Sequence, residues 1–190
     1  SYPDAKWHLD WYAGDFIFNG DVSFGASYRF SGAHVAGLSL GYMQDRDGLY
    51  YAQDEVLWRG TDSRLFHSIY LKRTINQNFL YLRHGVRFRE GTFRYPVLDF
   101  YPFEENGNIF LVKETRSYNE SCYQLGYEMV VGFEVNFHRL VFFDFYLGAN
   151  VSKAYYESPF EINRSDIIMS DPRYSGLRPI AGIRCGILIY

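Results

Sequence analysis

CYQLGYEMVVGFEVNF, residues 122–137, alternates without a break. Its odd-numbered residues are Tyr123, Leu125, Tyr127, Met129, Val131, Phe133, Val135 and Phe137, all apolar or aromatic. The even-numbered set carries Gln124, Glu128, Glu134 and Asn136, with Gly126 and Gly132 between them. A period of two puts the two sets on opposite faces of an extended strand. Ordinary strands run to about 5–6 residues, and this one is far longer. It demands surroundings that are apolar on one side and polar on the other.

The same alternation recurs along the chain. It predicts strands over about 6–13, 22–30, 34–44, 64–74, 79–90, 118–137, 140–156 and 177–190. Val22, Phe24, Ala26, Tyr28 and Phe30 form one apolar face, and Val141, Phe143, Phe145, Leu147, Ala149 and Val151 another. Helical periodicity is absent, and neither a repeat nor a low-complexity linker divides residues 1–190, so a single domain is expected. Ser31-Gly32-Ala33, Asn76-Gln77-Asn78 and His138-Arg139 read as tight turns. Between them lie long segments at about 45–63, 91–117 and 157–175, with a shorter one at 14–21. Long and short connections therefore alternate. Pro96, Pro102, Pro159 and Pro172 fall in the long segments, where they interrupt pairing.

Composition narrows the class. The net charge of −3 and pI near 5.9 give no reason to expect a nucleic-acid partner. Aromatic residues make up 20% of the chain, more than a soluble core requires. No apolar run is long enough for a transmembrane helix. No basic-then-apolar leader stands at Ser1, so an export signal is expected to have been removed. Cys122 and Cys185 allow at most one disulfide.

Eight strands with both termini on the short-turn side satisfy the requirements of an all-β, antiparallel, up-and-down transmembrane barrel, with short periplasmic turns and long extracellular loops. This layout resembles the small eight-stranded OmpA/OmpX-type barrels of the bacterial outer membrane, and the aromatic-rich style is similar to small barrels of Bacteroidota. The last strand, Ile183-Arg184-Cys185-Gly186-Ile187-Leu188-Ile189-Tyr190, ends on an aromatic residue as that family's strands do, although its apolar set is out of phase with Tyr190. The resemblance implies integral insertion in a Gram-negative outer membrane. Lipid and lipopolysaccharide would surround the barrel, and other outer-membrane proteins are its candidate partners.

The faces opposite the apolar ones gather charge. Asp10, Arg83, Arg87, Glu128, Glu134, Asp144 and Arg184 are expected to form a polar network in the lumen. An eight-stranded barrel is about filled by its own side chains, and buried charges need partners, so Arg/Glu pairing reads as a plug. A line of ions through the lumen is the rival reading. The segment around residues 64–74 is ambiguous because neither face is cleanly apolar, and His84 lands on the face assigned to lipid.

Signals for chemistry are weak. The five histidines are scattered, with no pair at metal-ligand spacing. Asp45-Arg46-Asp47-Gly48 lacks the later ligands of a calcium loop and reads as a solvated acidic turn. His67 and Ser68 are adjacent and point to opposite faces, unlike the catalytic pairs of lipid A deacylases. No catalytic residue, cofactor or metal is therefore assigned, and a non-enzymatic role is expected. The alternatives are a membrane-embedded lipid-modifying enzyme and a soluble lipocalin-like barrel with an apolar ligand. The segment 91–117 holds Phe93, Tyr95, Phe100, Tyr101, Phe103 and Phe110, with Asn106-Gly107 as a hairpin tip, and is the expected site of partner contact. The three long segments together carry six more acidic than basic residues, which disfavours anionic partners.

Overall fold

The computed structural model describes residues 6–13, 22–44, 57–73, 78–105, 107–137, 140–156 and 174–190. Among them run eight strands: β1 (Trp7–Trp11), β2 (Val22–Arg29), β3 (His34–Gln44), β4 (Leu57–Arg73), β5 (Phe79–Glu105), β6 (Asn108–Phe137), β7 (Val141–Tyr156) and β8 (Gly176–Ile189). Each pairs antiparallel with its sequence neighbours, and β8 returns to β1, so the sheet closes on itself as a barrel. No helix among the described residues is long and apolar enough to cross a membrane.

The register measures the tilt. Stepping across the ladder from Ile189 leads to Trp7, Tyr28, Ala36, His67, His84, Met129, Ala149 and then Pro179, ten residues from the start on the same strand. Ten residues at about 3.3 Å, set against eight strand spacings of about 4.8 Å, incline the strands by about 40° to the barrel axis. Each step across the sheet then climbs about 3 Å.

Side chains alternate between a buried interior and an exposed exterior on every strand. The exterior carries the apolar set: Phe24, Leu40, Leu65, Val86, Leu125, Met129, Phe145 and Leu147 are exposed. The interior carries aromatic rings and charge. Inward-facing rings lie over glycines of the next strand, as Tyr81 lies on Gly132 and Tyr146 on Gly182, occupying the space a Cβ would need. On the polar face of β6, Gly132 therefore makes room for the Tyr81 ring and Gly126 for the side chains of Asn150 and Ser152.

Three expectations need correction. Strand β4 begins at Leu57 and not at 64, with a register shift between Tyr70 and Lys72, and its pattern is mixed because the inward face carries the rings of Phe66 and Tyr70 while the outward face carries His67. Leu65, His67, Ile69 and Leu71 face outward, whereas Phe66, Ser68 and Tyr70 are buried. The segment 91–117, expected as a long connection with a hairpin tip, extends both flanking strands: β5 and β6 stay paired in one unbroken register up to Glu105 and Asn108, with Gly107 at φ 77° in the tip. Pro96 and Pro102 do not interrupt this ladder; they pair with Ser117 and Leu111. The segments around 45–56 and 157–173, most of Asn76-Gln77-Asn78 and all of His138-Arg139 lie outside the described residues.

Candidate functional site

The polar interior divides into two clusters. Near the end that holds the termini, Arg184 donates through Nη1 to Asp10 and through Nε to Asp144, both at 2.9 Å. Asp144 and Arg184 sit directly opposite each other on β7 and β8. Asp144 also accepts from the Tyr81 hydroxyl at 2.6 Å, and Glu134 accepts from Tyr70 at 2.6 Å. Glu134 and Asp144 are cross-strand neighbours of like charge. Such a pair is unfavourable unless each carboxylate has its own donors, and each has. Arg83 lies among rings instead, 4.8 Å from the centroid of Tyr146, 5.3 Å from Phe66 and 5.6 Å from Tyr81.

The second cluster surrounds Asp62. Arg64 and Arg87 are directly opposite one another, an arrangement that needs a shared anion. Asp62 supplies it, accepting from Arg64 Nη2 at 2.7 Å and from Arg87 Nε at 2.9 Å, with Arg89 Nε at 3.8 Å. In place of the expected Arg/Glu pairing, the carboxylate that Arg87 meets is Asp62, a residue hidden in what the sequence presents as a loop. Glu128 is buried on the same inner wall, opposite Asn150. All seven residues expected in the lumen thus face inward and are buried, but they divide between two centres, and Glu134 is held by a tyrosine. Cys122 faces inward while Cys185 is half-buried, and the two are not joined in a disulfide.

The exterior holds one polar feature that the sequence pattern does not reveal. His34, His67 and His84, on β3, β4 and β5, form a chain: His34 Nδ1 to His67 Nε2 at 3.1 Å, and His67 Nδ1 to His84 Nε2 at 3.1 Å. Tyr127 of β6 closes it, its hydroxyl 3.0 Å from His84 Nδ1. The His34 and His67 rings are coplanar within 3° with centroids 5.3 Å apart, which with the short N···N distance means rings joined end to end and not stacked face to face. One tautomer repeated along the chain satisfies every link, either with Tyr127 donating to His84, His84 to His67 and His67 to His34, or with every link reversed and the Tyr127 oxygen accepting. The chain thus quiets the polar atoms that the exterior would otherwise expose. The histidines judged scattered in sequence meet because Ala36, His67 and His84 share one row of the register. No group of three His, Cys, Asp or Glu among the described residues is arranged to hold a metal ion.

Past Leu57↔Arg94 on one side and Cys122↔Tyr156 on the other, β5 and β6 pair, among the described residues, only with each other and form a two-stranded arm. Ten residue steps from Tyr95 to Glu105 make it about 33 Å long. Ile109 and Leu111 are 73% and 74% exposed, and Phe100, Phe103 and Phe110 are exposed beside them. Tyr101 is half-buried, with the Arg116 guanidinium 5.4 Å from its ring. Phe93 does not belong to this surface. It is fully buried beneath the arm against Met43 and Cys122, because it shares the inward phase of Arg83 and Arg87. The side chain of Tyr95 lies outside the described residues. At mid-arm Arg116 bridges Glu114 at 3.0 Å and Asp99 at 3.5 Å, two carboxylates on directly opposite residues.

Comparisons with protein-family models, with curated proteins and with solved structures each returned no match.

Proposed function

We propose that the chain is an integral outer-membrane barrel without catalytic activity, with a self-plugged lumen and an arm that contacts a partner protein outside the membrane. The observation that carries this reading is the inverted distribution of polarity. A water-soluble barrel keeps apolar groups inside; here Asp10, Asp62, Glu134, Asp144 and Arg184 are inside among aromatic rings, and Phe24, Leu40, Leu65, Leu125, Phe145 and Leu147 are among the large apolar side chains outside. On β6 the outward apolar run from Leu125 to Val135 rises about 25 Å along the axis, the height of the apolar band of an outer-membrane barrel. Trp7, Tyr28, Phe137 and Phe143 lie toward the end with the termini, and Tyr123 and Tyr155 lie toward the other, as interfacial girdles would. The layout is that of OmpA/OmpX-type barrels.

The lumen supports a structural role. Every arginine just described meets a carboxylate or aromatic rings, an arrangement suited to holding the walls together. An apolar ligand of the lipocalin kind would meet these charges. The arm supports partner contact, since a ribbon with five exposed large apolar side chains is a poor design for a surface facing only water.

Two measurements test the proposal. Unboiled protein should migrate differently from boiled protein on SDS gels and fractionate with outer membranes; recovery as a detergent-free soluble monomer would refute membrane insertion. Deletion of residues 94–112 should leave heat-modifiable migration intact and abolish co-purification of a partner from native membranes. Co-purification that survives the deletion refutes the arm's role and leaves the barrel standing.

A further inference from the structure

The two edges of the arm are not equivalent. The hydrogen bond from Tyr70 N to Ala33 O fixes the phase of the sheet: even-numbered residues of β4 direct their amides to β3, and odd-numbered ones to β5. The constant register from Tyr70 to Leu57 carries this to β5, whose even-numbered residues face β4 and whose odd-numbered residues face β6. The bond from Leu188 N to Leu140 O, followed back through the registers of β7 and β6, gives the same phase independently.

Among the described residues β4 pairs with β5 no further than Arg94, so there the even-numbered positions of β5 beyond it form the arm's outer edge on that side. Of residues 96, 98, 100, 102 and 104, two are prolines without an amide hydrogen, and the amide of Phe100 is bonded to the Asp99 carboxylate at 2.9 Å. That edge is closed to another strand. On β6 the outward positions are Ile109, Leu111, Lys113, Thr115, Ser117 and Asn119. None is proline, and among the described residues none of their amides is capped. One edge is blocked and the other is a complete row of donors and acceptors.

We propose that the β6 edge from Ile109 to Asn119 binds an extended segment of a partner protein by strand addition. This rests on the arm being the partner site and assigns the mode of contact. The flanking side chains define the segment. Toward the tip it lies beside Ile109 and Leu111 on one face and Phe110 and Val112 on the other, so apolar residues belong there. At mid-arm, Asp99 and Glu114 share the cation Arg116, leaving one negative charge for a lysine or arginine below the apolar end. A second copy does not fit. Two copies in one membrane share an orientation, and a two-fold axis along the strands would set amide against amide and carbonyl against carbonyl at each height.

The probe is a short synthetic peptide of alternating valine and threonine with one lysine toward the end that meets Asp99 and Glu114, labelled with a fluorophore and titrated against the detergent-solubilised barrel. N-methylation of every second residue, in the phase that faces β6, should abolish binding, whereas the opposite phase should leave it unchanged. Thr115→Pro, which removes one outward donor without touching the β5 ladder, should weaken binding about tenfold. Glu104→Pro on the closed edge should have no effect. Absence of peptide binding, equal loss with both methylation phases, or equal loss with both proline variants overturns strand addition. A wild-type dimer that Thr115→Pro dissolves overturns the choice of partner. Each of these outcomes leaves the arm-deletion result of the broader proposal unaffected.

Discussion

Replacing Arg184 by Met tests whether the interior is a dry plug. Arg184 holds two carboxylates whose side chains are fully buried, and the two are not equally dependent on it. Asp144 keeps the Tyr81 hydroxyl at 2.6 Å, while Asp10 accepts no other side-chain hydrogen bond among the described residues, and its Oδ1 is already unpaired. Removing one partner of a buried pair costs about 3–5 kcal/mol. At about 1–3 kcal/mol per molar of urea, the unfolding midpoint should fall by about 2 M. Adding Asp10→Asn removes the stranded charge and should recover about half of the loss. Adding Asp144→Asn instead leaves Asp10 charged and weakens a charge-assisted bond worth about 1.5–3 kcal/mol, so it should recover little. The assay is urea titration in detergent micelles, read by tryptophan fluorescence and by the fraction of protein keeping its unboiled migration. A single variant within about 1 kcal/mol of wild type would show that water reaches the cluster. Recovery by Asp144→Asn but not by Asp10→Asn would refute the assignment of which carboxylate is stranded.

Other substitutions separate structural from surface residues. Phe93→Ala should cost about 3–5 kcal/mol, whereas Phe103→Ala should be nearly neutral, in the same urea titration; equal effects would contradict the corrected role of Phe93. Gly132→Ala puts a methyl group against the Tyr81 ring and should cost about 1–3 kcal/mol, with a change in tyrosine near-ultraviolet dichroism as the ring shifts. His67→Leu breaks the exterior chain at its centre, leaving His34 and His84 each without that partner. In lipid vesicles it should destabilise by about 1–3 kcal/mol, and replacing all three histidines by leucine together with Tyr127→Phe should restore stability. A combined variant weaker than the single would sink the idea of a self-satisfied chain.

What the sequence reveals depends on height in the barrel. Within the apolar band each strand separates two unlike environments, so alternation marks β2, β3 and β7 within a residue or two and fixes the Phe137 end of β6. Above the band both faces meet polar surroundings and the signal vanishes. Arg59, Gly60, Thr61, Asp62 and Ser63 are strand by register yet show no contrast between faces, and the centre of the upper cluster went unseen with them. The arm is legible as a hairpin from its Asn106-Gly107 tip, but not as continuous pairing, because proline is harmful or harmless according to which edge its nitrogen faces. Phe93 was recoverable: its odd number matches Arg83, Arg87 and Arg89, and carrying that phase forward places it inside. The histidine chain was not. It depends on the registers of three strand pairs, which no local pattern encodes.

The short β1 makes the ring uneven. Five residue pairs join β1 to β2 and five join it to β8, whereas twenty-seven join β5 to β6. The β1–β8 seam also unites the parts of the chain farthest apart in sequence, so its closure meets the largest loop-entropy cost for the fewest ladder bonds. Hairpins such as β5–β6 can zip locally from their turns; the seam must wait for all of them. The barrel thus behaves as a curled sheet with a latch. The latch is the last wall to form and the first to yield, and amide exchange along Trp7–Trp11 should outpace that of every longer strand within the barrel wall.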